Sequence, residues 1–112
     1  CGTRSDGSLA CWGYNGRGQL GDGTTTSSNL PVAVGTSRSW TTVSTTVYAD
    51  DLGATHSCAV EATGTLWCWG ANDEGQLGDG TTTRRSVPTQ VGTATNWASV
   101  AVGSRFTVGR ST

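Results

Sequence analysis

The sequence predicts an all-β fold, and three observations lead to this prediction. Gly, Thr and Ser supply 49 of the 112 residues, a composition typical of short strands joined by many tight turns. Charged residues make up only 13% and Met is absent. This disfavours a helical bundle, which needs Ala, Leu, Glu and Lys in quantity. The third observation is an internal repeat, which is typical of stacked or ring-shaped architectures.

The repeat sets the organisation of the chain. The segment GQLGDGTTT occurs at Gly18–Thr26 and again at Gly75–Thr83, an offset of 57 residues. At this offset Cys1–Val43 aligns with Cys58–Val100 without a gap, and 22 of the 43 pairs are identical. Identity at half of the aligned positions indicates a true duplication.

Three units follow from this alignment. The first repeat covers residues 1–57 and carries an insertion within 44–52, the second covers 58–107, and residues 108–112 begin a third. Two repeats alone would leave apolar sheet faces and strand edges open to water. We therefore expect either a segment of a longer protein, or copies that assemble into a ring or exchange terminal strands.

Each repeat is expected to begin with a β-hairpin. In the second repeat the pattern pairs Cys58 with Cys68 and leaves a three-residue loop that ends in Gly64, a turn in which Gly takes a positive φ. Both faces of this hairpin are largely apolar, so it should be covered on both sides, as in a propeller blade. Two further strands are predicted around Pro88–Val91 and Trp97–Val102.

The repeated motifs resemble those of the regulator of chromosome condensation family. The pattern GxLxCWGxNxxGQLGDG occurs in both copies, followed by PxxV, a Trp and, once, a GxxHS stretch at Gly53–Ser57. The resemblance implies blades of a seven-bladed β-propeller, here two repeats of an incomplete ring. It also implies that the partner is a protein, as for related propellers. The nucleotide-exchange activity that named the family is not implied, because the loop that carries it has no counterpart here.

The four cysteines predict two disulfides, Cys1–Cys11 and Cys58–Cys68. Each pair lies ten residues apart, directly across the predicted hairpin, at a separation that a disulfide can span. Four buried free thiols are the alternative, and a metal site is disfavoured because no short CxxC spacing occurs. Disulfides in a small Gly-rich chain are typical of an extracellular or other oxidising compartment, so we expect a secreted protein.

Six residues are candidates for partner contact because they depart from the repeat. The insertion is expected to form a loop on one face, often the binding face, and Tyr is a common interface residue. The alternatives are a tolerated surface loop, a solvated turn and packing between blades. The candidates are Tyr48, Asp50 and Asp51 in the insertion, Arg84 and Arg85 in a predicted exposed turn, and Trp67, which replaces Ala10.

No catalytic, metal or cofactor site is predicted. His56 is the only His, and we expect it to be structural, as we do Asp22 and Asp79, whose spacing does not match a calcium loop. A net charge of −1 argues against nucleic acid, and no apolar run approaches the roughly 20 residues of a membrane span. We therefore expect a non-enzymatic module for protein–protein binding. The alternatives are a self-assembling module and a carbohydrate-binding propeller, with Trp67 at a glycan.

Overall fold

The computed structural model describes residues 1–37, 39–46 and 55–112. In these residues the chain forms strands and no helix. The described part of the chain therefore contains no candidate for a membrane-spanning helix. The strands are β1 (Gly2–Thr3), β2 (Leu9–Gly13), β3 (Ser28–Ala33), β4 (Trp40–Thr45), β5 (His56–Glu61), β6 (Leu66–Gly70), β7 (Arg85–Gln90), β8 (Trp97–Val102) and β9 (Thr107–Ser111).

The described strands form three antiparallel sheets, which correspond to one complete blade and two partial ones. Their strand orders are β1-β2-β3, β4-β5-β6-β7 and β8-β9. The complete blade takes β4 from the first repeat and β6 and β7 from the second. A blade is therefore shared between consecutive repeats. This arrangement confirms the predicted all-β, incomplete propeller.

The hairpin of the second repeat has the predicted register. Cys58 lies opposite Cys68, and Val60 lies opposite Leu66. Gly64 ends the loop with φ 84°, as the turn requires. The next strand differs from the prediction, because β7 begins three residues before Pro88. Pro88 can lie inside this strand because β7 is the outermost strand of its sheet, where a missing N–H is tolerated.

Both predicted disulfides are present and hold the hairpins closed. The Cα atoms are 3.9 Å apart in Cys1–Cys11 and 4.1 Å apart in Cys58–Cys68. The predicted burial of both hairpin faces is also confirmed, since the two faces of β5–β6 enter different clusters. One cluster contains Leu9, Cys11, Leu20, Val34, Trp40, Ala59 and Trp69. The other contains Cys58, Val60, Leu66, Cys68, Leu77 and Val100.

The strand bounds refine where the extra residues of the first repeat begin. Strands β4 and β8 are six residues each, so Ser44 and Thr45 correspond to Ala101 and Val102. The extra residues therefore follow Thr45, inside the predicted range 44–52. The candidate contact residues Tyr48, Asp50 and Asp51 lie outside the described residues.

Candidate functional site

A buried Asn organises the long loop of each repeat. Asn72 is fully buried, and its Nδ2 donates to the carbonyl oxygens of Thr81 at 3.0 Å and Thr83 at 2.9 Å. Its Oδ1 accepts from the backbone N–H of Leu77 at 3.0 Å. Asn15 makes the corresponding bonds in the first repeat. The loop that contains the GQLGDG motif is therefore fixed by hydrogen bonds between its backbone and the buried Asn side chain.

The acidic residues of this loop also bind the protein itself. Oδ1 of Asp79 accepts from the backbone N–H and the hydroxyl of Thr81, at 3.0 and 2.7 Å. Burial raises the pKa of Asp79, but hydrogen bonds from Thr81 and Arg85 outweigh it and hold the pKa below its ordinary value. Among the described residues no cluster of His, Cys, Asp and Glu could bind a metal ion.

The contact between the two repeats centres on the backbone of Gln19. Its carbonyl oxygen accepts from the Trp69 indole N–H at 2.8 Å and from the Ser57 hydroxyl at 3.0 Å. Trp69 is fully buried here, whereas Trp12, its counterpart in the first repeat, is 51% exposed. The two Trp residues align in the repeat, yet Trp12 lies outside both core clusters of the described residues.

In the second repeat, the carbonyl oxygen of Gln76 corresponds to that of Gln19 but accepts no hydrogen bond from a described Trp. The Gln76 carbonyl oxygen accepts from the Thr107 hydroxyl at 2.6 Å, as that of Gln19 does from Ser57. In the described residues no indole N–H reaches it. A cavity of about 360 Å³ lies beside it, lined by residues that include Gly78 and Phe106.

His56 is buried among backbone and hydroxyl groups. It is completely inaccessible to solvent, and its Nε2 lies 2.8 Å from the hydroxyl oxygen of Thr107 and its Nδ1 3.4 Å from that of Thr46. Burial lowers the pKa of His56 to about 4, although a hydrogen bond with the Phe106 backbone opposes this. A neutral, inaccessible imidazole joins strands and has no access to a substrate.

The two Arg candidates contact the protein's own loops. Arg85 belongs to β7 instead of the predicted turn, and its Nε donates to the Asp79 carboxylate at 3.0 Å. Arg84 is exposed and donates from Nη1 to the Gly16 carbonyl at 3.3 Å. Arg84 thus ties the second repeat to the first, and neither side chain is simply a solvated group.

Trp67 lines a cleft between the two repeats. Its ring packs against Trp40, with centroids 6.4 Å apart and planes at 83°, and its Nε1 donates to the Thr65 hydroxyl at 3.0 Å. The cleft has a volume of about 340 Å³ and is also lined by Glu61 and Pro88. We call it the tryptophan cleft.

Sequence reasoning found one of the two unusual residues of the tryptophan cleft and missed the other. Trp67 stands out because the first repeat has Ala10 at the same place. Glu61 carried an equally clear signal, since the first repeat has Arg4 there, with the opposite charge. The two departures from the repeat meet in one cleft because their strands are adjacent.

Comparisons with known proteins agree with the repeats and the fold. The model of the family described as "Regulator of chromosome condensation (RCC1) repeat" matches residues 6–60 and 63–109. The ultraviolet-B receptor UVR8 of Arabidopsis thaliana is 36% identical over 106 residues, which are 92% of this chain and 23% of the relative. The crystal structure of human WBSCR16 matches with a TM-score of 0.71 and 25% identity, over 91% of this chain and 25% of that one. The chain thus spans about a quarter of the length of these two proteins, and it belongs to the regulator of chromosome condensation repeat family.

Proposed function

We propose that this chain is a non-enzymatic repeat module that binds another protein through the tryptophan cleft. The observation that carries the proposal is Trp67, a half-buried ring on a cleft between the repeats. Trp is among the residues that contribute most to protein–protein binding, and it acts in partly closed sites. A protein partner is also in keeping with the family.

The fold itself does not require a Trp at this position. Ala10 occupies it in the first repeat and is almost completely buried there, at 3% exposure. The fold therefore forms around a methyl group at the same place. The Trp67 ring packs against Trp40 on one side, and its remaining surface faces the cleft, where a ligand can contact it.

The test is selection of binders followed by a matched pair of variants. We expect peptides selected from a displayed random library against the oxidised chain to lose affinity for W67A about tenfold or more, because the ring forms a wall of the cleft. The control is W12A, which removes an exposed Trp that does not line the tryptophan cleft. Equal binding to wild type and W67A would overturn the proposal, and glycan-array binding that W67A abolishes would assign a carbohydrate instead.

We further propose that the protein works outside the cytosol. The two disulfides support an extracellular or other oxidising compartment, because such bonds are rare where thiols are kept reduced. Mass spectrometry of the protein isolated from its source without reductant should show both bonds formed. Four free thiols would overturn this placement.

A second candidate function is assembly of copies from head to tail. The observation that favours it is that the chain carries both halves of one contact: the Gln76 acceptor at one end and the exposed Trp12 at the other. In the first contact the same residue types, Gln19 and Trp69, bind each other at 2.8 Å. Residues 108–112 align with the first residues of the chain. In a head-to-tail contact they would compete with the first residues of the docking copy for one strand position, so one of these two segments must be displaced.

Sedimentation velocity tests assembly directly. We expect association of the wild-type chain to rise with concentration and to be lost in W12A, because the indole then no longer reaches the Gln76 carbonyl. W67A is the matched control and should associate as the wild type does. A monomer at every concentration, or association that W12A leaves intact, would exclude this mode of assembly.

A further inference from the structure

The described lining of the tryptophan cleft carries one charged side chain, that of Glu61. Of its described lining residues only Glu61 is ionisable, and the others are Gly35, Thr36, Ser37, Trp40, Trp67, Val87 and Pro88. The ion pairs found in the described part of the chain, Arg85–Asp79 and Arg105–Glu74, do not involve it. Among the described residues no cation pairs with the Glu61 carboxylate, so a cation of a partner can approach it.

The carboxylate and the ring are held in position together. The Thr65 hydroxyl donates to Oε2 of Glu61 at 3.0 Å and accepts from Nε1 of Trp67 at 3.0 Å. Among the described residues, none donates a hydrogen bond to the other oxygen, Oε1. One hydroxyl thus fixes both side chains before any ligand arrives and leaves a carboxylate oxygen available.

This combination suits one kind of side chain. A guanidinium is planar, stacks on aromatic faces and forms directional hydrogen bonds to carboxylates. The volume of about 340 Å³ lies near the lower end of ligand sites, roughly 300–1,000 Å³. It therefore suits one long side chain better than a large ligand.

We propose that the tryptophan cleft recognises an Arg side chain of the partner protein. This inference rests on the proposed function, because it names the chemistry of the protein that binds there. The guanidinium stacks on Trp67 and pairs with Glu61. The first repeat offers no such site, since Arg4 and Ala10 replace the carboxylate and the ring.

The direct test uses short blocked peptides that differ at one residue. Ac-Gly-Arg-Gly-NH₂ is titrated into the oxidised chain and followed by NMR at the indole N–H signals of Trp67 and Trp40. We expect binding that weakens about tenfold or more when citrulline replaces Arg, because citrulline keeps the shape and loses the charge. The same loss is expected in E61Q, which still accepts the Thr65 hydrogen bond.

The matched control is E74Q, which removes an exposed carboxylate from the same repeat and should bind the Arg peptide as the wild type does. Charge reversal sharpens the test, because E61R should reject the Arg peptide and accept Ac-Gly-Glu-Gly-NH₂. Equal binding of the Arg and citrulline peptides, or undiminished binding to E61Q, would overturn the Arg assignment.

The two proposals fail in different ways. Library peptides that require Trp67 but bind E61Q normally would leave protein binding in place and refute the role of Arg. Library peptides and Arg peptides that bind W67A normally would refute the cleft as a binding site altogether.

Discussion

At the scale of single residues, buried polar side chains connect neighbouring sheets of the protein. His56, at zero exposure, contacts Thr46 on the side of β4 and Thr107 at the start of β9. It therefore links the complete blade to the next partial one. Such a contact requires a neutral imidazole, because burial disfavours the charged form.

The stability of the protein should depend on pH through His56. Its pKa falls from 6.5 to about 4 on folding, so between these values the unfolded chain binds a proton that the folded chain does not. Stability is complete above pH 6.5 and decreases as the pH falls, with a full loss of about 3 kcal/mol below pH 4. Urea unfolding of wild type and H56Q at pH 7.0 and 4.5 measures the difference. H56Q should lose this part of the pH dependence, and an unchanged slope in H56Q would contradict the assignment.

At the scale of elements, the Gly residues of the long loop allow the two repeats to approach closely. Gly21 has φ 75°, and a Cβ there would lie 2.7 Å from Nε1 of Trp69. Gly78, the same position in the second repeat, has φ 73°, and a Cβ there would lie 3.4 Å from the nearest atom, on Val91. The two positions share a conformation and differ in their neighbours.

This pair separates backbone strain from crowding. We expect G78A to cost about 1 kcal/mol, since both positions have a φ that Ala adopts reluctantly. G21A should cost about 2 kcal/mol more, because the methyl group displaces Trp69 from the Gln19 carbonyl. Urea denaturation of the two variants under identical conditions gives the difference, and equal losses would show that the contact at Gly21 is easily relieved.

The repeat explains which elements could be predicted from the sequence. The register of the β5–β6 hairpin follows from alternation and the position of Gly64, both of which are local. The start of β7 does not, because it depends on the pairing of Arg85 with Gly70 on the neighbouring strand β6. In the same way the meeting of Glu61 and Trp67 depends on strand pairing, although each departure from the repeat was visible in the sequence.

At the scale of the whole molecule, large apolar side chains are exposed on or beside both partial blades. Trp12 is 51% exposed at one end, and Phe106 and Val108 are 60% and 55% exposed at the other. The sequence predicted that two repeats leave open faces, but the repeat aligns Trp12 with Trp69 and does not show that only Trp69 is buried. Trp69 is buried because its sheet packs against the loop that contains Gln19. The local sequence pattern does not show which sheets pack together.

The hydrogen bond from Trp69 to Gln19 also determines how the repeats respond to denaturation. In a row of repeats, total stability is the sum of what each unit contributes and what each junction contributes. If the first repeat unravels, Trp69 loses its acceptor and its ring becomes exposed to water. Opening of the first repeat therefore weakens the second, and we expect the two to lose their structure in one cooperative transition.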